Sequence, residues 1–141
     1  MKGLTTLIKL SSRTLDELRR QMVSLEDQKA QLLQLIETMK TNLTAEMQLA
    51  GHSPEIGRFY GDFSKRMKQR QEEILVEVKA LDKQMEKLRG EISDAFSELK
   101  KYEIALENAK KREKETAARK ETLMMDDIAA QQYGRKQKDG D

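Results

Sequence analysis

The stretch LAGHSPE, Leu49 to Glu55, is where this sequence stops reading as helix, and it holds the only proline, Pro54, and the only histidine, His52. Gly51 can take the left-handed conformation that closes a helix. Ser53 suits an N-cap, Pro54 the first helical turn, and Glu55 the positive end of the helix dipole. One helix can end and the next begin within about four residues, a connection typical of antiparallel neighbours. Gly57 and Gly61, just beyond, favour a loose bend here. The stretch predicts the tip of a hairpin.

The flanks carry two apolar seams. Before the tip, positions a and d of a heptad are Leu4, Ile8, Ser11, Leu15, Leu18, Met22, Leu25, Lys29, Leu32, Ile36, Met39 and Leu43, apolar except at Ser11 and Lys29. After it they are Ile74, Val78, Leu81, Met85, Leu88, Ile92, Ala95, Leu99, Tyr102, Leu106 and Ala109, all apolar. Read backwards, the second seam gives Met67 and Tyr60 with polar Ser64 and Gln71 between them. Alternating steps of four and three are the repeat of a left-handed coiled coil. Gly90 falls at f, on the solvent side, where it costs about 1 kcal/mol of propensity and disturbs no packing.

The expected fold is therefore all-α: a two-helix antiparallel coiled-coil hairpin with a longer second helix. It reads as a single domain over residues 1–141, with helix one at about 4–50, the turn at 51–54, helix two at about 55–133 and a polar tail at 134–141. The competing reading is one bent helix that pairs with a second chain. A fold about residue 52 places Leu4 opposite about residue 100, and Lys29 near residue 75, between Glu73 and Glu77. A single charged seam residue with acidic neighbours would pin the register at some expense of stability, so Lys29→Leu is expected to stabilise the chain.

The arms differ in length. Residues 4 to 50 make an arm of roughly 70 Å and residues 54 to 133 one of roughly 120 Å. Tyr102, Leu106 and Ala109 then continue an apolar seam where the first helix has ended, and a stripe without an internal partner suggests an external one. Beyond the charged run KKREKETAARKE, residues 110 to 121, lies LMMDDIAA, residues 123 to 130. There Leu123, Met124, Met125 and Ile128 offer an adaptable apolar surface. At the tip, Phe59 and Phe63 stand four apart at c and g, off the seam, as candidates for docking.

The bulk numbers narrow the function classes. Of 141 residues, 37% are charged and 4% aromatic, and cysteine is absent. That mixture belongs to long helices burying a narrow stripe. A net charge of +2, from 27 basic and 25 acidic residues, gives no bulk electrostatic support for nucleic-acid binding. No glycine-rich phosphate loop, HExxH helix or Cys/His cluster appears. The many glutamates are solvated face charges with no pocket to make acids or bases of them. No catalytic residue, cofactor site or metal site is expected. No window approaches the roughly 20 apolar residues of a membrane span, and no signal peptide is read at MKGLTTLIKL.

Two runs carry a resemblance. FYGDFSKRMKQRQEEI, residues 59 to 74, resembles the segment after the tip in the flagellar FliJ family, with Tyr60, Phe63 and Met67 at the family's spacing. LMMDDIAAQQYGRK resembles that family's closing run. The resemblance implies a cytoplasmic helical hairpin, peripheral to the inner-membrane flagellar export apparatus and similar to the central stalk of rotary ATPases. Such a stalk would bind the hexameric ATPase of type III export, regulate it and couple it to the membrane export gate, with export chaperones as further partners. Carried across, the gate-facing face maps onto Phe63 and Met67. Arg70 departs from the apolar pattern of that face, and Ile74 lies on the seam. The ATPase-facing residues would be Tyr102, Leu106, Leu123, Met124 and Ile128. Two alternatives stand beside this reading: a structural coiled-coil homodimer or tether, and a helix-binding adaptor, both unrelated to secretion.

Overall fold

The computed structural model describes residues 1–52 and 54–139. Two helices account for nearly all of them, α1 (Lys2–Ala50) and the longer α2 (Pro54–Asp139), with no strand among the described residues. They form an all-α helical hairpin. Pro54 occupies the first helical position, where its missing N–H would be unsatisfied anyway, and Glu55 lies in the first turn of α2. Ser53, the expected N-cap, lies outside the described residues. The close of α1 differs from expectation. No described glycine has positive φ, so Gly51 does not supply a left-handed cap. Instead the His52 amide donates to the Leu49 carbonyl at 3.1 Å, a tightened last turn that satisfies one orphan acceptor. At the other end, α2 remains helical through Asp139, past the point where the sequence reading began a polar tail at residue 134.

The chain packs as two compact units: Arg13–Phe96, and Met1–Ser12 with the segment from Ser97 onward. In the first unit, the seam positions read from the sequence are the ones removed from solvent. Leu15, Met22, Ile36, Ile74, Val78, Leu81, Met85 and Leu88 are buried, Ile74 completely. The half-buried residues extend the same seam toward the tip through Glu46 and Ala50 on α1 and through Gln71, Met67, Ser64 and Tyr60 on α2. Met22, Met85 and Leu88 form one cluster, flanked by Leu18, Leu25 and Ile92. Ile36, Ile74 and Val78 form another, flanked by Leu32 and Met39.

These memberships set the register, and it is not a fold about residue 52. An a position on one helix lies level with a d position on the other, as Met22 with Leu88 and Ile36 with Ile74. Lys29, entering the seam between the two clusters, meets Asp82, with Nζ 2.7 Å from Oδ1, rather than Glu73 and Glu77. The pairing lies about two helical turns further along α2 than the midpoint of the turn predicts. Knobs interlock only when a faces d, so the register can move only in steps of seven, which allows Lys29 level with Ile74 or with Leu81, and the chain takes the second. With this register the first turns of α2 carry the return, and a Cβ placed on Gly57 would stand 3.7 Å from the Ala50 carbonyl oxygen.

In the second unit, Leu4, Ile8 and Ser11 of α1 are half-buried, Leu99 is buried, and Tyr102, Leu106 and Ala109 are half-buried. From residue 110 to residue 137 every residue is exposed.

Candidate partner-binding surfaces

The grooves beside Leu106 and beside Leu25 are open to solvent, and among the described residues no group of three or more His, Cys, Asp or Glu could hold a metal ion. Among the described residues, no helix is long and apolar enough to cross a membrane. What the fold presents instead are helix faces.

Near the tip, Phe59 and Phe63 sit one turn apart on α2 and stack on each other, with ring centroids 6.2 Å apart and planes 14° from parallel. Phe59 is 56% exposed, whereas Phe63 is half-buried. The pair thus presents one aromatic face to solvent and anchors it with the other ring, an arrangement worth about 0.5–1.5 kcal/mol beyond burial. Leu49 and Ile56 are also exposed. Met67 is half-buried on the seam, and Ile74 is a core residue with no surface to offer. Arg70 is tied to Glu73 at 3.2 Å and lies 3.9 Å from Glu77, which makes that flank polar. Of the residues that the sequence assigned to a gate-facing surface, Phe63 and Met67 remain partly accessible.

The second assigned surface divides. Tyr102 and Leu106 do not extend past α1, as the midpoint register required. Leu106 lines open grooves with Met1, Lys2, Thr5 and Thr6 on one side and Ile8 on the other, so the first turns of α1 flank it. The correction follows from the register: moving the pairing along α2 carries the start of α1 with it and shifts the end of cover to Ala109. The Tyr102 phenol donates to Glu98 Oε1 at 2.9 Å. That hydrogen bond, with desolvation and the nearby carboxylate charge adding to it, holds the phenol above its usual value near 10.

Leu123, Met124 and Ile128 are exposed, with Met124 at 64%. Met125 and Tyr133 join them, the latter unnoticed in the sequence because it stands alone among polar residues. Thr116 and Thr122 bond back to the carbonyls of Arg112 and Ala118 at 2.8 and 3.0 Å, so the polar run before this cluster is continuous α-helix.

Comparison with known proteins agrees with the resemblance seen in the sequence. The family model described as "Flagellar FliJ protein" matches residues 1–138. Two curated relatives of that name, from Caulobacter vibrioides strains NA1000 / CB15N and ATCC 19089 / CIP 103742 / CB 15, are each 24% identical to this chain over 109 residues. The matched region covers 77% of this chain and 78% of each relative. No solved structure matches.

Proposed function

The chain belongs to the flagellar FliJ protein family, and on that premise we propose that it serves flagellar type III protein export as a non-catalytic stalk. In this reading it binds the hexameric export ATPase through the exposed part of α2 and couples that ring to the export gate through the face near the tip. It acts in the cytoplasm, at the inner-membrane export apparatus, and export chaperones are further partners. The observation that carries the reading is the exposed run of α2: once α1 has given out at Ala109, the helix continues to residue 137 with Leu123, Met124 and Ile128 uncovered.

A single asymmetric helix meeting a six-fold ring cannot contact all subunits alike. Its binding energy would favour one arrangement of the ring at a time, promoting assembly or turnover without contributing a catalytic group. Leu123, Met124 and Ile128 supply the contact, with methionine able to repack against non-identical subunits. Tyr102 and Leu106 act one step back, seating the start of α1 at the base of the exposed segment. Phe63 and Met67, with the exposed Phe59 stacked on Phe63, supply the gate-facing contact.

The test adds the protein to its cognate export ATPase and follows hexamerisation and ATP hydrolysis. The parent chain should raise both, whereas Leu123→Asp/Met124→Asp/Ile128→Asp should raise neither while melting at the parent's temperature. No change in assembly or turnover with the parent chain sinks the stalk reading.

A further inference from the structure

Residues 110–137 share a helix with the hairpin but none of its means of support. Every residue in the segment is exposed, including Leu123, Met125 and Ile128. A helix with no buried face depends on propensity and neighbouring side chains alone, and such helices are marginal in water. This one is spared the nucleation step, because the paired part of α2 already holds its first turn in helical form. Its remaining stability must then decline outward, residue by residue.

The local chemistry is mixed. Alanine, lysine, arginine and glutamate favour helix, and Glu107 to Lys111 and Glu115 to Arg119 have the better orientation for pairs four apart. Against them, Lys110 and Lys114 are like charges at the same spacing. Thr116 and Thr122 are β-branched and donate their hydroxyls to carbonyls four residues back, a bond that slightly weakens a helix. Gly134 stands inside the last turns with nothing within 4 Å of a Cβ position, so no close approach requires it and the helix bears its full conformational freedom.

We infer that residues 110–137 form a conformational unit separate from the hairpin, a helix that melts gradually along its own length while the paired seams stay folded. Temperature thereby sets the fraction of molecules in which the helix reaches residue 128 and displays Leu123, Met124, Met125 and Ile128 as one surface. The apparent affinity of anything that reads that surface falls in proportion to this fraction. The inference rests on burial and stands apart from the export reading.

Hydrogen exchange on the full chain, free in solution, tests it. Amides of residues 112–137 should exchange within about 100-fold of unstructured rates, with protection falling toward Gly134. Those of residues 78–88 should be protected by roughly a thousandfold or more. Thr116→Ala/Thr122→Ala should raise protection of the exposed segment several-fold, and Ala117→Gly/Ala118→Gly should lower it several-fold. Neither pair should move the urea midpoint of the hairpin. Equal protection in the two segments, no response to either pair, or a shift of the hairpin midpoint overturns the inference.

Discussion

Residues 74–88 and residues 110–137 lie on the same helix, yet different physics holds them. In the first, Ile74, Val78, Leu81, Met85 and Leu88 are buried at heptad spacing, and the helix is stabilised through what it packs against. In the second no residue is covered, and the helix is held only by bonds within itself, those of the backbone and local ones such as Thr116 to Arg112 and Gln137 to Tyr133. Helical form alone therefore says little about stability. A substitution should be felt according to which side of Ala109 it falls on.

The sharpest way to break that contrast is to truncate one apolar residue from each part. Ile74 is completely buried between the helices, so Ile74→Ala should destabilise the hairpin by about 2–5 kcal/mol in urea unfolding. Leu123→Ala removes an exposed side chain and should change the same midpoint by no more than about 0.5 kcal/mol. Comparable losses would mean that the exposed segment has cover in solution.

Within the hairpin, Lys29 probes whether the register depends on charge or on layers. Its ammonium is 2.7 Å from Asp82, but both side chains are partly exposed, at 33% and 47%. An ion pair so placed contributes only about 0–1 kcal/mol. Lys29→Leu should thus stabilise by about 1 kcal/mol through added apolar burial, leaving Asp82 to solvent. Lys29→Glu should destabilise by a similar amount, facing Asp82 with its own sign. A loss of several kcal/mol in Lys29→Leu would show that the pair, not the apolar layers, fixes the register.

The seam itself was legible in the sequence to the residue. All the a and d positions from Leu4 to Leu43 and from Ile74 to Ala109 are half-buried or buried. The register was legible only in part. Matching a against d excludes a point between Ile74 and Val78 but admits both Ile74 and Leu81 level with Lys29, and heptad spacing does not choose between them. The middle of the turn lies next to the first of these, which leaves Tyr102 and Leu106 bare. The end of α2 was misplaced for another reason: polar composition and Gly134 read as a tail, but helix already nucleated upstream propagates without a core. The family resemblance rested on aromatic and apolar spacing near the tip and on the closing run, and both lie within the residues that the family model matches.

A smaller effect belongs to the tip. Phe59 is mostly exposed and its packing is largely the ring of Phe63. Phe59→Ala should then weaken the fold by only about 0.5–1 kcal/mol, whereas the half-buried Phe63 should matter more on truncation. Thermal unfolding of the two variants side by side gives the order. The reverse order would place Phe59, not Phe63, as the anchored ring.

Tyr102 reports on the boundary itself, and its expected effect is the smallest. It sits two seam positions before cover ends at Ala109, and its phenol is held above the usual value chiefly by the hydrogen bond donated to Glu98. Because the folded value is the higher one, the unfolded chain loses its proton first as pH rises. The bond's contribution is complete below pH about 10 and is lost as pH climbs through the folded value. The three tyrosines separate by environment: Tyr60 half-buried on the seam, Tyr133 exposed, and Tyr102 bonded to a carboxylate. Ultraviolet titration of a chain carrying Tyr60→Phe and Tyr133→Phe isolates Tyr102. Glu98→Gln should bring its midpoint down toward the ordinary phenol value. Since donor and acceptor are four apart on one helix, the shift should survive Ile74→Ala at temperatures where the paired seams remain folded. A midpoint that fell with Ile74→Ala under those conditions would show that the bond to Glu98 depends on the packed seam and not on one turn of α2 alone.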